Sequence, residues 1–378
     1  MSSAVQVRPA AGPADIDAFI RFPYRLHRDQ PHWVPPLLME RRDFMNPLKN
    51  PLYEYASVQP FLAERDGRVV GTVAAVANAR YGQFHPDETH VGFFGLFECE
   101  DDPGTAQALL DAACAWLGER GFTVARGPVN LTTNDILGVL IDGFGEDNAI
   151  MMPYNPAYYG PLLENAGCAK AKDVYAYYLA RKDAGPRLGR IAARLEREGA
   201  LRIRPIDMKR WRQELDFVRD TYNKAWSRNW GFVPWTDREL AFIATELKPL
   251  VDPRFAFVGE VAGEPAGFIV SVPDANEALK LAKGRLLPTG LLKILWKLKV
   301  QGCRNLRTMI MGVLPEHRNR GLDLLLIHHT VQNAMPTQYQ GSELGWILED
   351  NHALISPLEQ LKAKRTKTYR VYDRPCRS

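Results

Sequence analysis

Apolar and polar positions alternate along "FLAERDGRVVGTVAA" and again along "FVGEVAGEPAGFIVS", and a turn pair interrupts each run, Asp66-Gly67 in the first and Ala262-Gly263 in the second. A two-residue period around such a turn predicts a β-hairpin, with Gly supplying the positive φ that a tight turn needs. Downstream of the first hairpin the pattern predicts a strand at His90–Cys99. A helix follows over Gly104–Arg120, where Ala106, Leu109, Leu110, Ala113 and Leu117 recur at helical spacing. The second hairpin is followed by a predicted strand at Leu306–Leu314 and a helix at Leu322–Met335. Between the halves, "RLGRIAARLEREGALRIRP" reads as a helical connector ending at Gly199, ahead of a strand at Leu201–Arg204.

The two hairpins are copies. Phe61, Glu64, Gly67 and Gly71 match Phe257, Glu260, Gly263 and Gly267 at an offset of 196 positions (257 − 61). "NPAYYGPLLENAG", from Asn155, matches "NHALISPLEQL", from Asn351, at the same offset (351 − 155). One register shared by two distant segments indicates an internal duplication. Each half reads as helices, a hairpin, a strand, a helix, a strand, a helix and a final strand, an α/β arrangement with mixed sheets. The expected division is a first domain at 1–182, a connector at 183–200 and a second domain at 201–378 with an insertion at 279–304.

Composition narrows the chemistry. A net charge of +4 over 378 residues is too small for nucleic acid as a bulk partner. The five cysteines are scattered without a CxxC pair, which fits a reducing compartment and argues against a disulfide framework or a zinc site. The N-terminal stretch has no basic segment followed by an apolar run, and no apolar run approaches the ~20 residues of a spanning helix. The expectation is therefore a cytoplasmic protein, at most peripheral to a membrane. Charge is uneven, however: Ala278–Pro315 contains no Asp or Glu but eight Lys and Arg residues.

The segment "GVLPEHRNRGLDLLLIHHTVQNA" carries the candidate chemistry. A strand runs into Pro315, a basic loop follows, and a helix opens at Gly321–Leu322. Free amides and the positive end of the helix dipole make such a helix start an anion cradle, and Arg318 and Arg320 add bidentate donors. The stretch resembles motif A of the GNAT (Gcn5-related) acyltransferases, with Val313, Pro315, Arg318 and Gly321 matching. Downstream, "ELGWILEDNHA" resembles motif B. The resemblance spans nearly the whole chain and implies two tandem GNAT-like domains with acyl-CoA as co-substrate and no permanently bound cofactor or metal. It places the acyl-CoA site at Met311, Val313, Arg318, Asn319, Arg320, Gly321, Leu322 and Asn351. Asp323 stands where the family has a small residue. In the first half the corresponding turn carries Glu98, Glu100, Asp101 and Asp102, which would repel phosphates, so only the second domain is expected to bind acyl-CoA.

The same resemblance implies direct attack of an amine on the thioester, which needs a base, an oxyanion donor and an acid for the leaving thiolate. Glu349 and Glu343 are the candidate bases. Glu349 would share a face with Asn351 if its strand continues that far. The usual tyrosine after motif B is absent, and Tyr369 is the candidate acid in its place. The aromatic run "YNKAWSRNWGFVPWT" precedes the second hairpin, where the family's acceptor binds, and nominates Asn223, Trp226, Asn229 and Trp230. Its aromatics would line a lipid channel or form ordinary core.

Within the acid-free region, "LLPTGLLKILWKLKVQGCR" (Leu286–Arg304) predicts a helix from Pro288 to Val300. Its Leu291, Ile294, Leu295 and Leu298 would share one face, with Lys293 and Lys297 on the other. At ~20 Å it is too short to span a bilayer. A basic, leucine-rich helix of this kind suits a membrane interface, or packs on the fold with its lysines in water. Together with "FPYRLHRDQPHWVPPL", "VPDANEALK" and "WILEDN", these segments look similar to bacterial ceramide synthases, GNAT-type enzymes that acylate a sphingoid-base amine from long-chain acyl-CoA. The partners that this implies are long-chain acyl-CoA, a lipid amine and the inner membrane surface, contacted through 286–304. The alternatives are an N-acyltransferase for an amino acid or small polar amine, and a non-catalytic membrane-associated acyl-CoA sensor.

Overall fold

The computed structural model describes residues 4–184 and 186–376; Gly185, inside the expected connector, lies outside them. The chain forms two compact units. The first runs to Val174 and takes in Leu279–Leu291 and the chain from Lys367 on, and the second comprises Tyr175–Ala278 and Leu292–Thr366.

The first unit opens with β1 (Gln6–Pro9), α1 (Gly12–Leu26) and α2 (Leu38–Phe44). The hairpin β2 (Ala56–Arg65) and β3 (Arg68–Asn78) follows, then α3 (Tyr81–Phe84), β4 (Val91–Cys99) and α4 (Pro103–Gly118). The unit continues through β5 (Val124–Gly127), β6 (Val139–Asp142), α5 (Tyr159–Asn165) and β7 (Ala169–Ala180), whose last six residues belong to the second unit. The second unit contains α6 (Pro186–Arg197), β8 (Leu201–Pro205), α7 (Trp211–Ala225), α8 (Asp237–Leu247) and the hairpin β9 (Ala256–Val261) and β10 (Glu264–Pro273). Along the chain α9 (Asn276–Ala282) and α10 (Gly290–Trp296) come next, and the residues from Leu279 to Leu291 belong to the first unit. The second unit resumes with β11 (Asn305–Val313), α11 (Leu322–Ala334), β12 (Gly341–Leu348) and α12 (His352–Gln360), and β13 (Lys364–Pro375) passes into the first unit at Lys367. The expected connector is therefore helix α6, which belongs to the second unit.

Strand order is β1-β2-β3-β4-β5-β13 in the first unit, with β6 also on β13, and β7-β12-β11-β10-β9-β8 in the second. The repeated hairpins have repeated turns. Asp66 and Gly67 take φ of 51° and 71°, and Ala262 and Gly263 take 51° and 86°, the doubly left-handed geometry whose twist matches the flanking strands. Gly71 and Gly267 are retained for another reason. A Cβ on Gly71 would fall 2.7 Å from Leu109 of α4, and one on Gly267 would fall 3.2 Å from Leu322 of α11, so each lets its helix lie close on the sheet.

In the second unit the two faces of the sheet bury different cores. Phe257, Ile269, Leu344, Leu322, Leu326, Ile355 and Leu358 form one, under α11 and α12. Phe268, adjacent to Ile269 and therefore on the opposite face, packs with Val218, Tyr222, Phe232, Trp235 and Leu240 under α7 and α8. Each such side chain, fully buried, contributes ~1.5–3 kcal/mol.

β11 and β12 run parallel and in register only from Asn305 opposite Gly341 to Thr308 opposite Leu344, although both strands continue beyond. The cause is on the other edge of β11. Its register with β10 passes from Thr308 opposite Ser271 to Ile310 opposite Val270, which leaves Met309 as an extra residue. A bulge of this kind bends the strand away from its neighbour. The result is a wedge between the second halves of β11 and β12.

Candidate functional site

The wedge is the centre of the site. Its base is tied by Arg307, a buried residue whose guanidinium donates to the carbonyls of Thr308, Glu343 and Gly345. On the α11 side a chain of hydroxyls crosses the three strands, Ser271 to Thr308 at 2.9 Å and Thr308 to Ser342 at 2.8 Å. Sequence reading did not single out Arg307; its only signal is a charge inside the strand "NLRTMIMGV".

At the open end of the wedge, β11 leads into a 3-10 turn at Pro315–His317 and then into the basic loop. Asn319 and Gly321 both adopt left-handed backbone, at φ of 59° and 85°. The left-handed φ at Gly321 strains any side chain there, and a Cβ would also press on the Leu195 side chain of α6 at 2.6 Å. The loop therefore delivers the first turn of α11 with no side-chain cap, so the leading amides, from Leu322 on, point outward as a ready anion site. Arg320 is exposed beside them, and so is Arg318, but the Arg318 guanidinium donates to the carbonyl of Ala225, the last residue of α7. Asp323 stands in the first turn of the helix, where it favours the dipole but not an anion.

The equivalent place in the first unit is closed. β4 and β5 are in register only from Val91 opposite Val124 to Phe93 opposite Arg126, and a register shift against β3 follows, so a wedge is expected there too. The chain's own segment fills it: the Val129 amide donates to the Phe94 carbonyl at 2.7 Å, and the Asn130 side chain accepts from the Leu96 amide at 2.8 Å. The helix start is also occupied. Asp102 caps α4, accepting from the Gly104 amide at 3.1 Å and the Thr105 hydroxyl at 2.6 Å, and Arg65 donates to it. Burial works against the Asp102 charge, but bonds from Thr105, Arg65 and Gly104 outweigh it and hold the carboxyl below the usual range. Glu98 is bound by His27 at 2.7 Å and Tyr159 at 2.6 Å, and Glu100 by Arg68 at 3.0 Å.

The expected catalytic and acceptor residues are placed as follows. Glu343 stands opposite Arg307 in the paired part of β12 and is buried. Its neighbour Leu344 faces α11, so Glu343 faces the α7 side. β12 stops at Leu348, so the strand does not carry Glu349 onto one face with Asn351; Glu349 lies in a turn and Asn351 caps α12 through the Leu354 amide at 3.3 Å. Tyr369 belongs to the first unit, on β13 opposite Leu140, with no solvent exposure, which leaves the acid without an accessible hydroxyl there. Asn223 is committed to the backbone of Trp235, donating to its carbonyl at 3.2 Å and accepting from its amide at 2.9 Å. It therefore shapes the aromatic loop instead of facing an acceptor. Phe232 and Trp235 are core, whereas Asn229 and Trp230 are half-buried.

Trp226 is different. Its indole Nε1 donates to the Met311 carbonyl at 3.3 Å, and its ring lies edge-on to Trp346 at 6.1 Å between centroids. It therefore touches β11 and β12 beyond the point where they stop pairing.

The segment 286–304 also departs from a single helix. α10 ends at Trp296 and a π-turn runs from Lys297 to Gln301. Ile294 is buried and Leu298 packs against the cluster that holds Phe255, Cys303, Leu306, Ala334 and Tyr339, whereas Leu287, Leu291, Leu292, Leu295, Trp296 and Val300 are exposed, Leu287 by 76% and Val300 by 73%. The apolar face foreseen is thus divided, part inward and part to solvent. Lys297 pairs at 3.3 Å with Glu277, just outside the acid-free stretch, and Lys280 pairs with Asp147 at 2.6 Å. Lys283, Arg285, Lys293 and Lys299 are exposed. Among the described residues, no group of His, Cys, Asp and Glu is arranged to hold a metal, and no helix is long and apolar enough to cross a membrane.

No protein-family model matches the chain. Its sequence is similar to the bacterial ceramide synthase of Caulobacter vibrioides, 39% identical over 98% of this chain and 97% of that protein. It is also similar to protein YghO of Escherichia coli, 34% identical over 97% of this chain and 95% of that one. Among solved structures, a tandem GNAT protein from the clavulanic acid biosynthesis pathway aligns over 99% of both chains with a TM-score of 0.57 at 12% identity. A GCN5-related N-acetyltransferase from Sphaerobacter thermophilus aligns over 99% of this chain and 96% of its own with a TM-score of 0.53 at 13% identity. These structural likenesses establish the fold.

Proposed function

Since the chain belongs to the family of the bacterial ceramide synthase and is an acyl-CoA-dependent N-acyltransferase of tandem GNAT fold, we propose that it moves a long-chain acyl group to the amine of a sphingoid base. The observation that carries the reading is the contrast between the helix starts: α11 is uncapped beside an open wedge, and α4 is closed by Asp102 beside a filled one. Pyrophosphate would lie on the Asn319–Leu322 amides with Arg320 and Arg318, and the pantetheine arm would run into the wedge past Met311 and Val313. Asn351, at the start of α12, stands at the end of β12 from which that arm enters.

The amine would approach from the α7 side. Glu343 is the better placed of the two carboxylates to take its proton, being beside the wedge on that face. The nitrogen attacks the thioester carbonyl, the C–N bond forms, the C–S bond breaks, and CoA leaves as the thiol with the proton. A β11 main-chain amide near Met311–Val313 would receive the oxyanion.

A lipid acceptor is supported by the surface of α10. Exposed Leu, Trp and Val side chains flanked by Lys293 and Lys299 suit the headgroup region of an anionic membrane, with peripheral association at its inner face. The test is CoA release from palmitoyl-CoA with sphinganine against a panel of amino acids and small polar amines. A kcat/KM for a small polar amine equal to that for sphinganine overturns the assignment.

A further inference from the structure

We propose that the end of α7 is a latch across the wedge, released when the pyrophosphate of acyl-CoA takes Arg318 from the Ala225 carbonyl. The proposal rests on the reading of the α11 loop as the pyrophosphate site and adds a coupling between the donor and acceptor sides.

Three contacts define the latch. Arg318 donates to the carbonyl of Ala225, the last residue of α7, where helix carbonyls are left without intrahelical partners and carry partial negative charge. The next residue, Trp226, holds the Met311 carbonyl through its indole and leans on Trp346, so it touches both arms of the wedge. Gly312 of β11 lies next to Ala225: a Cβ there would be in ordinary contact with that of Ala225, at 3.5 Å.

The same guanidinium thus serves two acceptors. A pyrophosphate at the start of α11 offers Arg318 bidentate bonds to a charged acceptor, where Ala225 offers a neutral carbonyl. Once Arg318 turns to it, the carbonyl end of α7 is left uncompensated beside an anion and is repelled. Ala225 and Trp226 are consecutive, so the displacement that frees one carries the other off Met311. Donor binding then exposes the wedge to the amine, and by reciprocity amine binding favours the donor.

The experiment is calorimetric titration of a short-chain sphinganine into the protein with and without saturating CoA, which has the pyrophosphate but no acyl group to transfer. The latch requires amine affinity to rise severalfold with CoA. A second arm uses Trp226→Phe, which keeps a ring but loses the donor to Met311. With that bond no longer holding the latch shut, CoA affinity should rise roughly two- to tenfold, and the dependence of amine binding on CoA should shrink. Equal amine affinity with and without CoA, or unchanged CoA affinity in a natively folded Trp226→Phe, overturns the latch and leaves the donor site standing. Failure of the wild type to bind CoA overturns the donor site and the latch together.

Discussion

Thr308 and Leu344 are the last residues at which β11 and β12 stand opposite one another, and the bulge at Met309 follows immediately on one of the two strands. In the first unit, Phe93 and Arg126 close the corresponding pairing, but there the chain at Val129 and Asn130 bonds back onto β4. One half keeps a slot open and the other fills it.

A single donor site follows. Titration should give one CoA per chain, and an Arg318→Ala/Arg320→Ala double variant should weaken binding at least ~10-fold, since one hydrogen bond to a charged group is worth ~1.5–3 kcal/mol. Two equivalent sites would require the α4 end to bind phosphate despite Asp102.

Glu343→Gln should leave CoA affinity unchanged and lower turnover by roughly 10²–10⁴-fold, the range for loss of a general base. Glu349→Gln, in the turn beyond β12, should have a small effect. A reversal of the two results would move the base to Glu349.

The surface of α10 should bind anionic vesicles. In co-sedimentation, a Leu291→Glu/Leu295→Glu/Trp296→Ser variant should stay in the supernatant and lose turnover on long-chain amines while keeping its fold and its activity on a soluble amine. Salt should weaken wild-type binding only in part, because the apolar share is not screened. Equal loss on both amines would assign the segment to the core.

Asp102→Ala should destabilise the protein by ~1 kcal/mol, the usual cost of losing an N-cap. The sign with pH is fixed by its lowered carboxyl pKa. The bonds to the charged form contribute stability above the ordinary aspartate value and lose it as pH falls through the lower folded value. Denaturation midpoints of wild type and variant should therefore converge in acid. A gap independent of pH would mean that the cap acts through the neutral carboxyl.

Much of this protein is written locally in its sequence. The hairpins, their left-handed turns at Asp66-Gly67 and Ala262-Gly263, the helices α4 and α11 and the loop before α11 all depend on short-range patterns. Alternation, helical spacing and glycine position are properties of neighbouring residues, so they are legible without a fold. The repeat offset, read from the same glycines, carried the tandem architecture as well. The acids at Glu98–Asp102 are legible too, though not that one of them would cap the helix they precede.

What only the tertiary structure decided is how distant groups meet. The wedge exists because Met309 has no residue opposite it on β10, a matter of register between strands that no local pattern encodes. Arg318 reads as a phosphate ligand from its loop, yet its present partner is the carbonyl of Ala225, 93 positions earlier in the chain. Asn223 reads as an acceptor ligand, yet both ends of its amide are taken by Trp235. The face of α10 splits because Ile294 and Leu298 find buried partners while Leu291 and Leu295 do not. A side chain's type fixes which bonds it is able to make; the packed fold fixes which partners come within reach.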